Sequence, residues 1–571
     1  MSRPTKPANL IYGVDDVPPR AVTLLLALQH VSLMSVGWIF VVVLVTAIGG
    51  TRAESGDVIR MSMIASGLAT ILQARTGGLV GSGYLCPFSC GPAHLAATIL
   101  AGKAGGLPLI FGLTTVSGIL EGFFSRIVKR LRPLLPPEVT GLIVAMVGIE
   151  LIALGCTRFL GYVAPGSPLD PRVLAVALLT LVAMVAPTLL ATGKLRLYPV
   201  ILGLVVGYGA ALAFGILTPG QLQSVLNGPI VSLPHRVPGG MTFSFVFLVP
   251  FLIGSLSSAM KSIGDLTLCQ KANDAAWKRT DMKSVSGGLL AGSIGSTVAG
   301  LLGGVGQSTF SSNIGLSIAT GATSRAVALP AGLIVIALAF LPELAAVFAS
   351  MPQPVVGAML VYVACFMILG GFQVVTSRML DARRTFVVGI PFIFGLSVKI
   401  VPEAYQQVPS VLRPFFTSSL SLATVLVILL NLVFRIGVRR KAVLSLVPGQ
   451  DSHDRISEFL DRQGGAWGMR PEVVVRANDA LHELAASIGK TAAAPPAIAV
   501  EARFDEFNLD LDVSWDGEMV ALSDAAPTAE SLKLSLAAIL KLSGFLIRHY
   551  TDRVSTEQRD NHCRVVLHFD H

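Results

Sequence analysis

Close to its start the chain carries a stretch that suits a lipid bilayer, because no Asp, Glu, Lys or Arg occurs from Ala21 to Thr51. A helix needs about 20 apolar residues to cross the hydrocarbon core, so this stretch can span it. It is longer than the apolar region of a secretory signal peptide, and a polar, proline-bearing leader precedes it. Only 13% of all residues are charged, whereas soluble domains carry about 25%. The sequence therefore predicts a polytopic membrane protein.

Apolar segments recur fourteen times before residue 435. Basic clusters follow even-numbered segments, such as "RIVKRLR" after the fourth and "RIGVRRK" after the fourteenth. Because Lys and Arg concentrate in cytoplasmic loops, this pattern predicts that both termini are cytoplasmic, with residues 1–20 as a cytoplasmic segment. The predicted spans lie near residues 21–50, 57–74, 77–95, 97–123, 137–156, 172–191, 197–217, 242–270, 284–304, 308–323, 325–349, 354–375, 385–401 and 417–434.

Two of these segments differ from ordinary spanning helices. The third contains "GSGYLCPFSCGPAH" and the tenth, seven spans later, contains "GGVGQSTFSSNIGLS"; both are dense in Gly and Ser. Small residues can simply allow close helix packing. In transporters built from inverted repeats, however, interrupted segments at matching positions of the two halves form the substrate site. We therefore favour a substrate site between the third and tenth spans.

The eighth span contains two charges within "SSAMKSIGD", namely Lys261 and Asp265. Four residues apart on a helix, they lie on the same face. The two charges could simply neutralise each other. A charge at the bilayer centre costs at least ~2.5 kcal/mol, however, and such residues usually serve a function. We therefore expect Lys261 or Asp265 to act in substrate binding or ion coupling.

Several motifs, in the right order, resemble one transporter family over residues 20–435. They are "LLALQHVSLM" in the first span, "SGLATILQ" in the second, "LLPPEVTGLIVAMVG" at the fifth and "SNIGLSIATG" in the tenth. The last fits the signature of the nucleobase–ascorbate transporter family (nucleobase:cation symporter 2), which includes uracil and xanthine permeases. That signature is Asn, any residue, Gly, four residues, Thr, then Arg, Lys or Gly. Its places are filled by Asn313, Gly315, Thr320 and Gly321.

The resemblance implies an all-α membrane fold of fourteen spans arranged as a seven-plus-seven inverted repeat. Spans 1–4 and 8–11 would form a core, spans 5–7 and 12–14 a gate, and spans 3 and 10 would each begin as a short strand. Such transporters are generally homodimers. We expect no cofactor, metal ion or nucleic-acid partner, and a proton or Na⁺ as possible co-substrate. The candidate substrate-binding residues are Lys261, Asp265, Ser311, Ser312, Asn313, Ser89, Gly91 and His30.

The chain departs from the family at two acidic positions. Bacterial proton-coupled members carry a glutamate in span 8, where Lys261 stands here, and a second carboxylate in span 10, where Ser312 stands. A lysine offers three donors and no acceptor, so Lys261 suits carbonyl oxygens or an anionic ligand such as a urate-like or xanthine-like monoanion. Asp265 could remain the acceptor or the proton-carrying group.

The last part of the chain changes character. Residues 442–571 hold 12 Lys and Arg against 20 Asp and Glu, whereas residues 1–441 hold 31 against 14. We expect a linker at 436–450 and a cytoplasmic α+β domain at 451–571. This domain resembles the ATP-binding fold of anti-sigma factors and histidine kinases, with its nucleotide chemistry degraded. The resemblance places Glu483 where the Mg-binding Asn belongs and Trp515 where an Asp belongs.

The leading interpretation is a secondary active transporter that carries a purine or pyrimidine base across a bacterial cytoplasmic membrane. Two alternatives stay open: an anion transporter of the same architecture that uses Lys261, and a transporter-derived sensor that signals through its tail. An enzyme is not expected, because the spans contain no nucleophile–base or metal constellation.

Overall fold

The computed structural model describes residues 5–131, 136–162, 164, 166, 168–190, 198–218, 220, 229–275, 277, 280–376, 380–409, 416, 418–434, 440–447, 452–490, 495–505, 508–523, 536–559 and 561–570. The chain divides into two compact units. The membrane unit comprises Met1–Val375 and Gly389–Leu429, and the tail unit comprises Thr376–Val388 and Leu430–His571.

The described part of the chain before the tail is mainly helical, with two short strands. The strands are β1 (Phe88–Cys90) and β2 (Gln307–Thr309). Single 3₁₀ turns occupy Ser35–Gly37, Pro92–His94, Arg325–Val327 and Pro402–Tyr405. The α-helices are α1 Arg20–Met34, α2 Trp38–Ala47, α3 Arg52–Gln73, α4 Leu95–Leu131, α5 Pro137–Leu160, α6 Pro171–Leu190, α7 Pro199–Ala213, α8 Phe245–Asn273, α9 Met282–Leu302, α10 Ser311–Thr320, α11 Ala328–Leu338, α12 Pro342–Ala349, α13 Gln353–Val375, α14 Ala382–Ile400 and α15 Ser419–Phe434.

Each of the fourteen predicted segments coincides at least in part with one of these helices. Within the described residues, 7 helical segments are long and apolar enough to cross a membrane, and a pair bent by 82° makes an eighth. The bent pair joins Arg325–Leu338 to Pro342–Ala349. The 7 segments are Arg20–Ala47, Pro92–Val128, Pro137–Leu160, Pro171–Leu190, Phe245–Asn273, Met282–Leu302 and Gln353–Val375.

The boundary between spans 3 and 4 lies further along the chain than the sequence indicated. The predicted break at residue 96 is wrong, because α4 continues helically to the pair Gly105 and Gly106. There the backbone leaves the helix, with φ 67° and ψ −166° at Gly106. Only glycine adopts such a conformation readily, because it has no Cβ. The third span therefore continues to about residue 104, and hydropathy alone could not place a break inside a continuous apolar run.

The packing of the membrane unit carries the signature of a seven-span repeat. Span 2 approaches span 11 so closely that a Cβ on Gly67 would lie 2.5 Å from the carbonyl oxygen of Gly332. Span 4 approaches span 9 in the same way, where a Cβ on Gly118 would lie 2.7 Å from the amide nitrogen of Thr297. Span 9 is the counterpart of span 2 in the second half, and span 4 is the counterpart of span 11 in the first half. The two pairs therefore occupy equivalent positions in the repeat. The two halves therefore pack through equivalent, small-residue contacts.

The interrupted third and tenth spans meet in the centre of the membrane unit. Strands β1 and β2 pair antiparallel, with Ser89 opposite Ser308. Gly91 follows β1, and its amide donates to the carbonyl of Gly306 at 3.2 Å. Pairing satisfies backbone groups that would otherwise be orphaned at membrane depth. The strands predicted for spans 3 and 10 are therefore present.

The N-terminal segment contacts the residues that follow α8 and α10, and the amide of Thr5 donates to Asp274 after α8. The amides of Ile11 and Tyr12 both donate to the carbonyl of Gly321, which ends α10 with φ 64°. Thr323 then donates its amide to Tyr12 and its hydroxyl to Asn273 at the end of α8. Spans 8 and 10 are therefore held together by the segment that precedes span 1.

The tail unit is an antiparallel sheet with helices, as the predicted α+β domain required. The sheet order is β3-β4-β5-β7-β6. Its strands are β3 Arg440–Leu446, β4 Ile498–Phe504, β5 Asn508–Asp516, β6 Arg553–Arg559 and β7 His562–Asp570, and its helices are α16 Ser452–Trp467, α17 Pro471–Gly489 and α18 Leu536–Tyr550. Strand β3 lies inside the range 436–450 that the sequence assigned to a linker. It is a strand because it pairs along its whole length with β4.

One face of this sheet builds the tail's hydrophobic core and the other is charged. Trp515 is 2% exposed within that core. On the other face Arg503 donates to Glu501 at 2.8 Å and Arg564 to Asp512 at 2.5 Å. Hydrogen bonds from Arg503 and Lys441 lower the pKa of Glu501 to about 2. The charges on the exposed face are therefore balanced by ion pairs within that face.

The strand pairing predicts that Gly91 tolerates no side chain. A Cβ at Gly91 would lie 2.6 Å from Ser308 Cβ, so we expect Gly91→Ala to cost about 1–3 kcal/mol through overpacking. The melting temperature of the purified protein should fall. Gly315→Ala is the matched control, because a Cβ there meets nothing within 4 Å. Equal melting temperatures for the two variants would contradict the packing of β1 on β2.

Candidate substrate site

The two charges of span 8 lie together beside the start of span 10. Lys261 Nζ is 2.8 Å from Asp265 Oδ2 and 2.5 Å from the carbonyl oxygen of Thr309. The two charged side chains are only 7% and 8% exposed. Lys261 therefore binds its neighbour on α8 and, at the same time, the last residue of β2.

Asp265 is surrounded by donors. Its Oδ2 also accepts the hydroxyl of Thr309 at 2.6 Å, and its Oδ1 accepts the hydroxyl of Ser311 at 2.7 Å. The hydroxyl of Ser262 lies 3.1 Å from that of Thr309. Both carboxylate oxygens are therefore engaged by groups of the protein itself, and the carboxylate fastens span 8 to the strand and first turn of span 10.

Local backbone geometry explains why Thr309 takes part. β2 ends at Thr309 and α10 begins at Ser311, so the chain is extended at Thr309 and its carbonyl is free of any helical hydrogen bond. A backbone carbonyl inside a membrane needs a partner. The ammonium of Lys261 supplies that partner at a short distance. The broken tenth span and the lysine of the eighth span therefore compensate each other.

A second cluster ties span 10 to span 1. His30 Nδ1 lies 2.9 Å from Asn313 Oδ1, and His30 Nε2 lies 3.5 Å from the hydroxyl of Ser317. An amide oxygen accepts, so this contact assigns the ring proton of His30 to Nδ1. Asn313 is fully buried, and its Nδ2 has no hydrogen-bond partner among the described residues.

The first turn of α10 also has an open side. Ser311, Ser312 and Gly315 are exposed, and a Cβ on Gly315 would meet nothing within 4 Å. Two hydroxyls beside a buried ion pair favour a water-filled cavity over lipid, because irregular polar backbone at membrane depth lines cavities. The helix N-terminus adds a positive partial charge there.

Other predicted residues are placed elsewhere. Ser89 is fully buried, and its hydroxyl donates to the carbonyl of Met34 at 2.6 Å. Gly91 contributes close backbone packing, as described above. Thr320 donates its hydroxyl to the carbonyl of Leu316 at the far end of α10, next to Gly321. The structure thus brings Lys261, Asp265 and Ser311 into one network, while Ser89, Gly91, Thr320 and Gly321 position the elements around it.

Sequence reasoning missed Thr309 and Ser262, which complete that network. It also missed His94, which is 4% exposed and lies 3.4 Å from Ser255 through Nε2. Ser262 follows Lys261 directly in the sequence, and this position could have suggested it as a member of the site. Thr309 offers mainly its carbonyl to the lysine, and a backbone carbonyl leaves no signal in a sequence.

Comparison with known proteins places this arrangement in context. The sequence profile described as Permease family (Xan_ur_permease) matches residues 21–404. A Clostridium perfringens protein, provisionally named a purine permease, is 30% identical over 430 residues, which is 75% of this chain and 93% of the relative. The xanthine permease XanQ of Escherichia coli K12 is 28% identical over 462 residues, 78% of this chain and 98% of the relative.

A solved structure shares the fold. The murine Solute Carrier 26 family member A9 anion transporter, in its inward-facing state, superposes with a TM-score of 0.50 at 11% identity. The match covers 76% of this chain and 72% of that protein. The fold class predicted from the sequence, a seven-plus-seven inverted repeat followed by a C-terminal α+β domain, is confirmed.

The buried pair makes a stability prediction. Lys261→Met or Asp265→Asn alone should cost about 3–5 kcal/mol, because each leaves one charge or its hydrogen-bonding partners uncompensated in a buried position. The double variant carries neither charge and should recover most of the loss. Melting temperatures of the four purified proteins test this. A double variant no more stable than the worse single variant would contradict a direct, buried pairing.

Proposed function

Because the chain belongs to the xanthine/uracil permease family, also called the nucleobase–ascorbate transporter family, we propose that it carries a purine or pyrimidine base across a membrane. It is a multi-pass membrane protein and a transporter, not an enzyme. The observation that carries this function is the match along residues 21–404, which includes the intact signature at Asn313 and Gly315. Relatives named purine permease and xanthine permease support the same cargo.

The base binds at the open first turn of α10, beside Lys261. Ser312 is exposed there and its hydroxyl can donate or accept. Lys261 has given two N–H groups to Asp265 and Thr309 and retains one. Asn313 and His30, which contact each other, hold this turn against span 1. Alternating access then moves the core spans against the gate spans.

The Lys261–Asp265 pair couples transport to an ion. When a base engages Lys261, the ammonium turns from Asp265 towards the ligand, and Asp265 takes up a proton in its place. The short contacts of Asp265 with two hydroxyls support this role, because these hydroxyls can serve the protonated as well as the ionised carboxyl group.

The family resemblance and the charges of the loops support a proposal for the oligomeric state, the membrane and the orientation of the transporter. We place it as a homodimer in a bacterial cytoplasmic membrane, with both termini in the cytoplasm. The basic clusters after even-numbered spans support that orientation. We propose that the tail is a degenerate ATP-binding domain that now regulates, dimerises or stabilises the protein.

Uptake into proteoliposomes tests the function. A panel of uracil, xanthine, hypoxanthine, guanine and urate should include at least one base that accumulates when the outside is acidic, without ATP. Asp265→Asn should abolish accumulation but retain exchange of labelled for unlabelled base, because only the proton-carrying group is lost.

Glu150→Gln is the matched control. Glu150 forms another ion pair of the membrane unit, with Lys399 at 2.9 Å, so the variant makes the same chemical change away from the site and should still accumulate base. If the wild-type protein moves none of these bases, the nucleobase function is wrong, and flux of inorganic anions would instead support the anion-transporter alternative. Binding of a base without any flux would support the sensor.

A further inference from the structure

Resting on the proposed function, we propose that the site selects the deprotonated, monoanionic form of its base. Around Lys261, hydrogen-bond donors outnumber free acceptors. The family match leaves the protonation state of the ligand open.

The strong acceptors of the site are already occupied. Asp265 accepts from Lys261, Thr309 and Ser311, and these contacts engage both of its oxygens. The carbonyl of Thr309 accepts from Lys261. Neither Lys261 nor Ser312 carries a carboxylate. A ring N–H that enters the site therefore finds no free carboxylate, whether Asp265 stays paired with Lys261 or takes up a proton when the base binds.

The strong donors, by contrast, are in excess. Lys261 keeps one N–H without a partner among the described residues. The N-terminus of α10 adds the positive end of its dipole. Hydroxyls such as that of Ser312 donate or accept and do not discriminate.

Ionisation of the base matches this imbalance. A lactam N–H that faces an ammonium would be left unsatisfied, which costs free energy in a buried site. Loss of its proton converts the ring nitrogen from a donor into a charged acceptor. A hydrogen bond between an ammonium and an anion is shorter and about twice as strong as one between neutral groups. The site therefore suits bases with an acidic ring N–H. Examples are dioxopurines, trioxopurines and pyrimidines that carry an electron-withdrawing substituent.

A near-isosteric ligand pair tests this without relying on Asp265. Uracil and 5-fluorouracil differ by one fluorine, which makes the ring N–H more acidic. At a fixed pH below both ligand pKa values, the purified full chain should bind 5-fluorouracil more tightly by about tenfold for each pKa unit that separates the two ligands. Raising the pH above the pKa of 5-fluorouracil should lower the ratio of the two affinities. This test uses the wild-type protein alone. Xanthine and hypoxanthine serve as the corresponding purine pair.

Lys261→Met should abolish the preference and leave a ratio near one. Lys399→Met is the matched control, because Lys399 also pairs with a carboxylate within the membrane unit but lies outside the site; it should keep the wild-type ratio. Equal affinity of the wild-type chain for both members of each pair, unchanged by pH, would overturn the inference while leaving base transport standing. Failure of every base to bind would instead overturn the proposed function.

Discussion

The ammonium of Lys261, placed between the carboxylate of Asp265 and the carbonyl of Thr309, is the contact around which the membrane unit is organised. Burying two charges in a low-dielectric site is costly unless their remaining hydrogen-bonding capacity is met. Here two hydroxyls meet it, from Thr309 and Ser311. The same contacts hold span 8 against span 10, so the group that would meet a ligand also holds the core together.

That arrangement is possible only because span 10 is broken. A continuous helix would have engaged the carbonyl of Thr309 within its own backbone and left Lys261 without this acceptor. The strand β2 is tolerated at this depth because β1 pairs with it, and because glycines on both sides allow the two halves to approach closely. The irregular backbone, the small residues and the buried lysine therefore depend on one another where spans 3, 8 and 10 meet.

The signature of span 10 divides into two tasks. Asn313 and Gly315 lie in the first turns, where one binds His30 and the other leaves space open. Thr320 and Gly321 end the helix, and Gly321 receives the N-terminal segment. The signature residues therefore build the start of α10 and also anchor its end.

The sequence by itself determined the apolar segments, the two interrupted spans and the change to an α+β tail, because apolar length and composition are local properties. Only the tertiary structure decided what those elements contact. It placed the break of α4 at Gly106, recruited the Thr309 carbonyl, and paired Glu150 with Lys399, whose side chains meet at 2.9 Å although 249 positions separate them. Such partners are chosen by packing between distant segments, and no local pattern records that choice.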